Sequence, residues 1–367
     1  MSLWSTFNIN DTMKHVRYKQ TGMIGFFDKG ETSTKLSKPG NPLEKLHKVI
    51  DFEMFRSLLE NHLLNQSKTG KAGCKPYDAV MMFKIILLKR FYNLSDEQAE
   101  YQINDRLSFK EFLGLSSGDR VPDARTIWLF QDKLIRKHLE EALFDRFHTC
   151  LDAMGLFVNA GKIIDASFVE VPRQRNSKDE NAKIKQGEGA LLWKEHPHKK
   201  RQKDIEARWT SKNGQKYYGY KDHAKIDAGS KLIDTYCVTS AEVHDSQPTE
   251  KLLGKKDKGQ ELYADSAYTG EPIDQMLRGK EIVPQIIERA FKGKPLTEQQ
   301  KESNRLKSKI RCLVEHVFGF VTNSMHDFYI RSIGLERAKG IIGLINLVYN
   351  MCRYEQIVRL KLLPIKS

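Results

Sequence analysis

The chain has 367 residues, 40% hydrophobic and 29% charged, enough apolar material for two or three cored domains and too much for a disordered polymer. Lys and Arg number 61 against 47 Asp and Glu, a net charge of +14, which points to a polyanionic partner, nucleic acid before membrane, although a merely basic protein has the same balance. Five cysteines (Cys74, Cys150, Cys237, Cys312 and Cys352) lie far apart with no CxxC pair, so neither a zinc site nor a disulfide framework is expected. The opening residues are polar and mixed, with no secretory signal pattern. The densest apolar runs, 79–88 and 341–352, are shorter than a bilayer span and read as buried helices.

In chain order, residues 1–42 read as a flexible arm that ends in Lys38-Pro39-Gly40-Asn41-Pro42. From Leu43 the pattern turns helical, with Leu46, Ile50, Phe55, Leu58, Leu59 and Leu63 at steps of threes and fours. A linker is expected over Ser67–Lys75. Pro76 then suits the first turn of an apolar helix running to Tyr92. Ser95-Asp96-Glu97-Gln98 is a capping-box pattern for a helix to about Leu107, and Asp123 caps another through Lys137. His138 to Leu156 continues in helical style. Residues 43–157 are therefore expected to be an all-helical domain for DNA binding or assembly. Helix-turn-helix is one reading of it, against which the long Ser108–Pro122 connection weighs.

At Gly161 the pattern changes to strands. Gly161–Val169 is apolar with Asp165 in its middle. A basic loop is expected over 173–216. The stretch 173–225 holds 15 Lys and Arg against 7 Asp and Glu, interleaved with Trp193, Trp209, Tyr217, Tyr218 and Tyr220. That mixture suits phosphates and stacked bases, and it equally suits a solvated loop anchored by its aromatics. Lys199, Lys200, Arg201, Lys203 and Lys221 are the candidate DNA contacts. Tyr217–Asp227 and Lys231–Ser240 read as a hairpin around Ala228-Gly229-Ser230. Then Gln260–Ala264 is a short strand that ends in Asp265. A helix over Pro272–Arg278 and a strand over Ile282–Ile287 precede a long helix from Glu298, with Leu306, Ile310, Leu313 and Val317 as its expected buried stripe. Glu315 falls roughly 200° from Leu313 around the axis, off that stripe. From the helix alone it reads as half of an exposed Arg311–Glu315 ion pair. The last helix, about Leu335–Leu360, is expected to cover one face of the sheet.

Two strand acids and one helix acid, 100 and 50 residues apart, form a candidate carboxylate cluster for a divalent metal, since hard ions take oxygen ligands. The order strand with Asp, hairpin, strand with Asp, helix with Glu is that of an RNase H-like fold. Five pieces carry a closer resemblance: Ile164–Ser167; Tyr218-Gly219-Tyr220-Lys221 with His223; Val243-His244-Asp245-Ser246; Tyr263–Tyr268; and Arg311-x-x-x-Glu315 with His316. In these the chain resembles the bacterial insertion-sequence transposases of the DDE class, closest to the family called insertion sequence five. Two positions depart from that family: Ser308 stands where a tyrosine is usual and Thr322 where a basic residue is usual.

The resemblance implies an RNase H-like catalytic domain over 158–361, a mixed sheet flanked by helices in an α+β or α/β arrangement, preceded by the helical domain. It implies Asp165, Asp265 and Glu315 as catalytic metal ligands, with two Mg2+ or Mn2+ ions. His223, His244, Asp245 and Arg311 become near-site candidates by motif position. The implied reaction is phosphodiester hydrolysis at the terminal inverted repeats of a mobile element, then transfer of the 3′-hydroxyl into target DNA. A homodimer or larger DNA complex, and a place in the bacterial cytoplasm at the nucleoid, go with it. A nuclease or resolvase on the same fold, or an inactive DNA-binding descendant, stays open from the sequence.

Overall fold

The computed structural model describes residues 40–63, 75–212, 214–326 and 328–365. The arm expected over 1–42 and the linker over 67–75 fall almost wholly outside the described residues. The chain divides into two compact units, one of residues 1–156 with 344–367, the other of residues 157–343.

The first unit is helical: α1 (Pro42–Val49), a 3-10 turn (Phe52–Phe55), α2 (Arg56–Leu63), α3 (Ala79–Phe91), α4 (Asp96–Asp105), α5 (Leu107–Leu113), α6 (Ala124–Arg136) and α7 (Leu139–Ala153). Short polar side chains start these helices by accepting from free amides of the first turn. Asn41, Asp78, Ser95 and Asp123 do so for α1, α3, α4 and α6, and Ser95 and Gln98 complete the expected capping box. Helix α3 is buried from Ala79 to Lys89, the pattern of a central helix apolar on every side. Its Lys84 is accommodated because Nζ donates to Phe112 O at 3.0 Å and lies 4.9 and 5.2 Å from the Phe52 and Phe112 ring centres.

Two expectations change here. Helix α3 starts after Asp78, whose carboxylate takes the Met81 amide, and not at Pro76. The stretch 108–122 is not a plain connection, because α5 fills its first half and Gly114, at φ +74°, closes that helix in the left-handed conformation.

The second unit is built on β1 (Lys162–Glu170), β2 (Arg208–Lys212), β3 (Gln215–Asp227), β4 (Ile233–Ser240), β5 (Glu261–Ala264) and β6 (Val283–Ile286). The sheet runs β2-β3-β1-β5-β6, with β4 also on β3. Strands β1, β3 and β4 pair antiparallel, while β5 joins β1, and β6 joins β5, in parallel. This is the RNase H-like order, a three-stranded meander extended by two parallel strands.

The segment 173–216 is not a loop. It folds as α8 (Lys178–Lys185), a 3-10 turn (Glu188–Leu191), α9 (Pro197–Arg201) and strand β2. It has a small interior of its own. Ile184 is buried, Trp193 Nε1 donates to Glu180 at 2.7 Å, and the buried Asp204 accepts from Tyr220 Oη at 2.7 Å and from the Glu206 and Ala207 amides at 2.9 Å. Where β3 crosses β1, Gly219 has φ +148°, and a Cβ there would stand 2.2 Å from Val169 O, so glycine alone fits.

After α10 (Thr249–Leu252) and α11 (Glu271–Gly279) come α12 (Glu298–Arg311), α13 (Leu313–Gly319) and a π turn (Phe320–Ser324). The expected stripe is corrected. Leu306 is 55% exposed and α12 has no buried residue, whereas Val314, Val317 and Val321 are buried. The helix breaks at Cys312, and the inward face of α12 is polar. It meets the end of β6, where Lys307 Nζ donates to Ile286 O at 3.1 Å and Asn304 bonds both backbone groups of Glu288 at 2.9 Å. Open backbone groups at a strand end need polar partners, which outweighs apolar spacing there.

The last helix, α14 (Leu335–Leu360), contributes its residues from Leu344 onward to the helical unit and not to the sheet as expected. Val348 and Met351 line one apolar pocket with Leu43, Leu46, Phe52 and Leu87, and the Tyr354 ring meets Phe147 edge-on at 6.2 Å.

Candidate active site

Strand β1 pairs in parallel with β5, Ile163 opposite Tyr263. Extending that register by two residues sets Asp165 beside Asp265 on one face, on strands about 4.8 Å apart. Asp265 stands just past Ala264 at the end of β5. There it caps the turn Ser266–Tyr268 by accepting the Ala267 amide at 2.8 Å. Asp165 accepts the Ala166 amide at 2.8 Å. The helices bring the third acid, through an arginine. Arg311, the last residue of α12, donates from Nη1 to Asp165 Oδ2 at 3.0 Å and from Nη2 to Glu315 Oε1 at 2.5 Å. The pair read from the sequence as an exposed Arg311–Glu315 bridge is thus the connection between helix and strand acids.

Burial dominates the electrostatics of the site. Burial is the largest effect on Asp165 and, with the neighbouring charge of Asp265, pushes its carboxyl up to about 6, while the Ala166 amide, Arg311 and Lys212 pull the other way. A further acid, Asp222, is fully buried opposite Ser167, on the same face by strand alternation. All donors are oxygens, the chemistry that hard divalent cations take. Among the described residues no three acidic, His or Cys side chains are already arranged to hold an ion, and Arg311 bonds both Asp165 and Glu315. The donor set fits a divalent metal provided that the arginine moves.

The strand register sets His223 and Lys221 apart from the acids. In the β1–β3 register His223 lies opposite Ala166 and Lys221 opposite Phe168, so both point to the sheet face away from Asp165. His223 is fully buried, bonds Thr239 Oγ1 through Nε2 at 2.8 Å, and is driven down to about 4 chiefly by burial. Lys221, expected to meet DNA, is 6% exposed and held by Val243 O and Asp245 Oδ1, both at 2.7 Å. Asp245 is therefore that lysine's partner. His244 is exposed, with Nδ1 2.8 Å from Ser246 Oγ. Of the basic run on and just after α9, Lys199 pairs with Glu180 at 2.7 Å, Lys200 donates to Ala190 O at 3.0 Å and Lys203 to Arg175 O at 2.7 Å. Much of its charge holds the 173–216 segment together. Arg201 is exposed.

Two residues near the acids escaped sequence reasoning. Lys212, at the end of β2, lies 5.8 Å from the Phe168 ring centre and acts electrostatically on Asp165. Its neighbour in the sequence, an Asn-Gly pair, signals a hairpin but not the reach of its end. Tyr268 is 1% exposed with no hydrogen-bond partner for its hydroxyl, and burial together with Asp165, Asp245 and Asp265 raises its pKa. Its place in the motif was visible, its burial beneath the acids was not.

A sheet of this order, with acids on adjacent parallel strands and a third on the following helix, defines an RNase H-like enzyme of nucleic-acid phosphate chemistry. The family comparisons make that specific. Residues 31–133 match the family described as Transposase domain (DUF772), and residues 159–351, more than half of the chain, match the Transposase DDE domain. The chain belongs to the Transposase DDE domain family. It is a DDE transposase, an enzyme of DNA cleavage and strand transfer, and that family uses divalent metal and acts on DNA. Two solved structures are remote likenesses. The cryo-EM structure of the piggyBac transposase synaptic complex with hairpin DNA is 14% identical over 89% of this chain and 77% of that one, at a TM-score of 0.43. The crystal structure of a pre-cleavage Mos1 transpososome is 10% identical over 86% of this chain and 98% of that one, at 0.18. Among the described residues no helix is long and apolar enough to cross a membrane.

Proposed function

We propose that Asp165, Asp265 and Glu315 are the catalytic carboxylates of this transposase and the ligands of two Mg2+ or Mn2+ ions. The observation that carries the reading is the convergence of strand and helix acids on Arg311, with Asp165 pushed up by burial and by Asp265. Bound divalent metal would supply charge to the attacking and leaving oxygens of an in-line displacement. The chain's own part is to hold its carboxylates ionised and convergent at the end of the sheet, where Asp165, Asp265 and Glu315 would hold the ions.

The substrates in this reading are the terminal inverted repeats of an insertion sequence of the family called insertion sequence five, followed by target DNA that receives the 3′-hydroxyl. The helical unit, 43–157, binds the ends or assembles a homodimer or larger complex, and the work is done at the nucleoid of a bacterial cytoplasm. The test is Asp165→Asn, Asp265→Asn and Glu315→Gln on labelled element ends with Mg2+. Each removes a ligand charge while keeping shape, so cleavage is lost and end-binding stays within about twofold of wild type. Substantial cleavage by Asp265→Asn would remove it from the site.

A further inference from the structure

The guanidinium of Arg311 occupies the oxygens that a metal would need. It holds Asp165 Oδ2 at 3.0 Å and Glu315 Oε1 at 2.5 Å, and the remaining Asp165 oxygen is taken by the Ala166 amide. N–H groups at these distances leave no room for an ion on the same lone pairs. The pairing is built to be exchanged: the Glu315 side chain is 60% exposed, and Arg311 is itself 20% exposed, so both can turn toward solvent without crossing the core. A planar guanidinium suits a phosphate as well as it suits a carboxylate.

We propose that Arg311 is the resident counter-cation of the carboxylate site, competing with divalent metal for Asp165 Oδ2 and Glu315 Oε1, and that the DNA backbone frees the site for metal by taking the guanidinium. The proposal rests on the three-acid assignment made above. It makes metal loading and DNA binding mutually supportive, because a ligand that captures Arg311 raises the fraction of open sites, and apparent affinity scales with that fraction. The rival role for Arg311, a positioning residue that keeps the acids in coordination geometry, predicts the opposite sign when it is removed.

The experiment is Mn2+ titration of the chelator-treated full chain at pH 8, by calorimetry and by the spin resonance of free Mn2+. Arg311→Gln is expected to tighten Mn2+ binding about tenfold, and unchanged or weaker binding would overturn the competition. If circular dichroism finds Arg311→Gln unfolded, Arg311→Lys decides, since it keeps the charge and loses the fork; tightening by about threefold is expected, and no tightening overturns the proposal. Excess duplex carrying the element's end should tighten Mn2+ binding for wild type and hardly at all for Arg311→Gln, so equal tightening in both would refute the exchange. Asp165→Asn separates the two levels of argument. Wild-type Mn2+ affinity in that variant would fault the acid assignment itself, whatever Arg311 does.

Discussion

The two faces of the central sheet both bury charge, and they treat it in opposite ways. On the face away from Asp165, Lys162 lies 3.5 Å from Asp227 and 3.3 Å from Asp234, while Lys225 lies 3.1 Å from Asp234 and 2.7 Å from Asp257. Asp227 also takes the amides of Asn159, Gly229 and Ser230 and the Ser230 hydroxyl. Each of these charges finds its complement inside the protein. On the other face, Asp165 shares one arginine with Glu315, and the neighbouring Asp265 adds to the negative charge there. Completed charge fixes the strands' register, and incomplete charge is left for something outside the chain to complete. The contrast separates architecture from chemistry without reference to sequence motifs.

The completed face should break hardest. Lys225→Met leaves the buried Asp257 without its cation, a loss on the order of 3–5 kcal/mol. Replacing partner and lysine together, Lys225→Met with Asp257→Leu, should recover most of it, because a buried pair exchanged for apolar groups is often near neutral. Denaturant unfolding of both variants measures this. A loss below about 1 kcal/mol in the single variant would mean that the network is ornamental.

The incomplete face should do the reverse. Asp165 has a folded pKa near 6 against an ordinary value of 3.8, so its ionisation opposes folding. The penalty is absent below pH 3.8, grows through pH 6 and is full above it. Asp165→Asn removes it. In chelator at pH 8 the variant should be more stable than wild type by up to about 3 kcal/mol, the advantage disappearing near pH 4. Wild-type stability that rises between pH 4 and pH 7 relative to the variant would contradict this. The same substitution abolishes cleavage in the reading proposed above, so stability and activity would move apart at one residue.

How far the sequence disclosed this depends on which forces act locally. The strands and the acids on them were legible because a short apolar run broken by an aspartate, as at Ile163–Asp165 and Leu262–Asp265, is what a buried strand ending at a polar site requires. The capping box at Ser95 is local chemistry and marked its helix closely. Face assignment was legible only where a partner strand was known. His223 and Lys221 sit in a motif beside the acids in sequence order, yet the register turns them to the opposite face. The stripe on α12 failed for a tertiary reason, since the end of β6 takes Asn304 and Lys307 inward and leaves Leu306 outside. The role of Arg311 was half legible: the step of four to Glu315 could be counted, but its second bond, to Asp165, spans 146 positions and depends on how the helix meets the sheet.

The smallest expected effect sharpens the comparison, because it asks what a neutral group on the completed face does when it is made to charge. His223 is fully buried, with Thr239 Oγ1 on Nε2 and no partner on Nδ1. Burial, more than the opposed influences of Asp245 and Lys221, lowers its pKa to about 4. A folded pKa below the ordinary 6.5 means that the unfolded chain takes up a proton first, so stability is intact above pH 6.5 and falls as pH drops toward 4. At pH 5 the loss is about 2 kcal/mol, from roughly 1.5 units at 1.36 kcal/mol each. His223→Gln keeps a group able to bond Thr239 and cannot titrate. Its stability should therefore run parallel to wild type above pH 7 and decline less between pH 6.5 and pH 4.5, by that amount, in denaturant melts taken at half-unit intervals. If the two curves stay parallel through pH 5, the histidine is protonated in the folded protein at no cost, and the face opposite the acids holds a charge that its own groups do not complete.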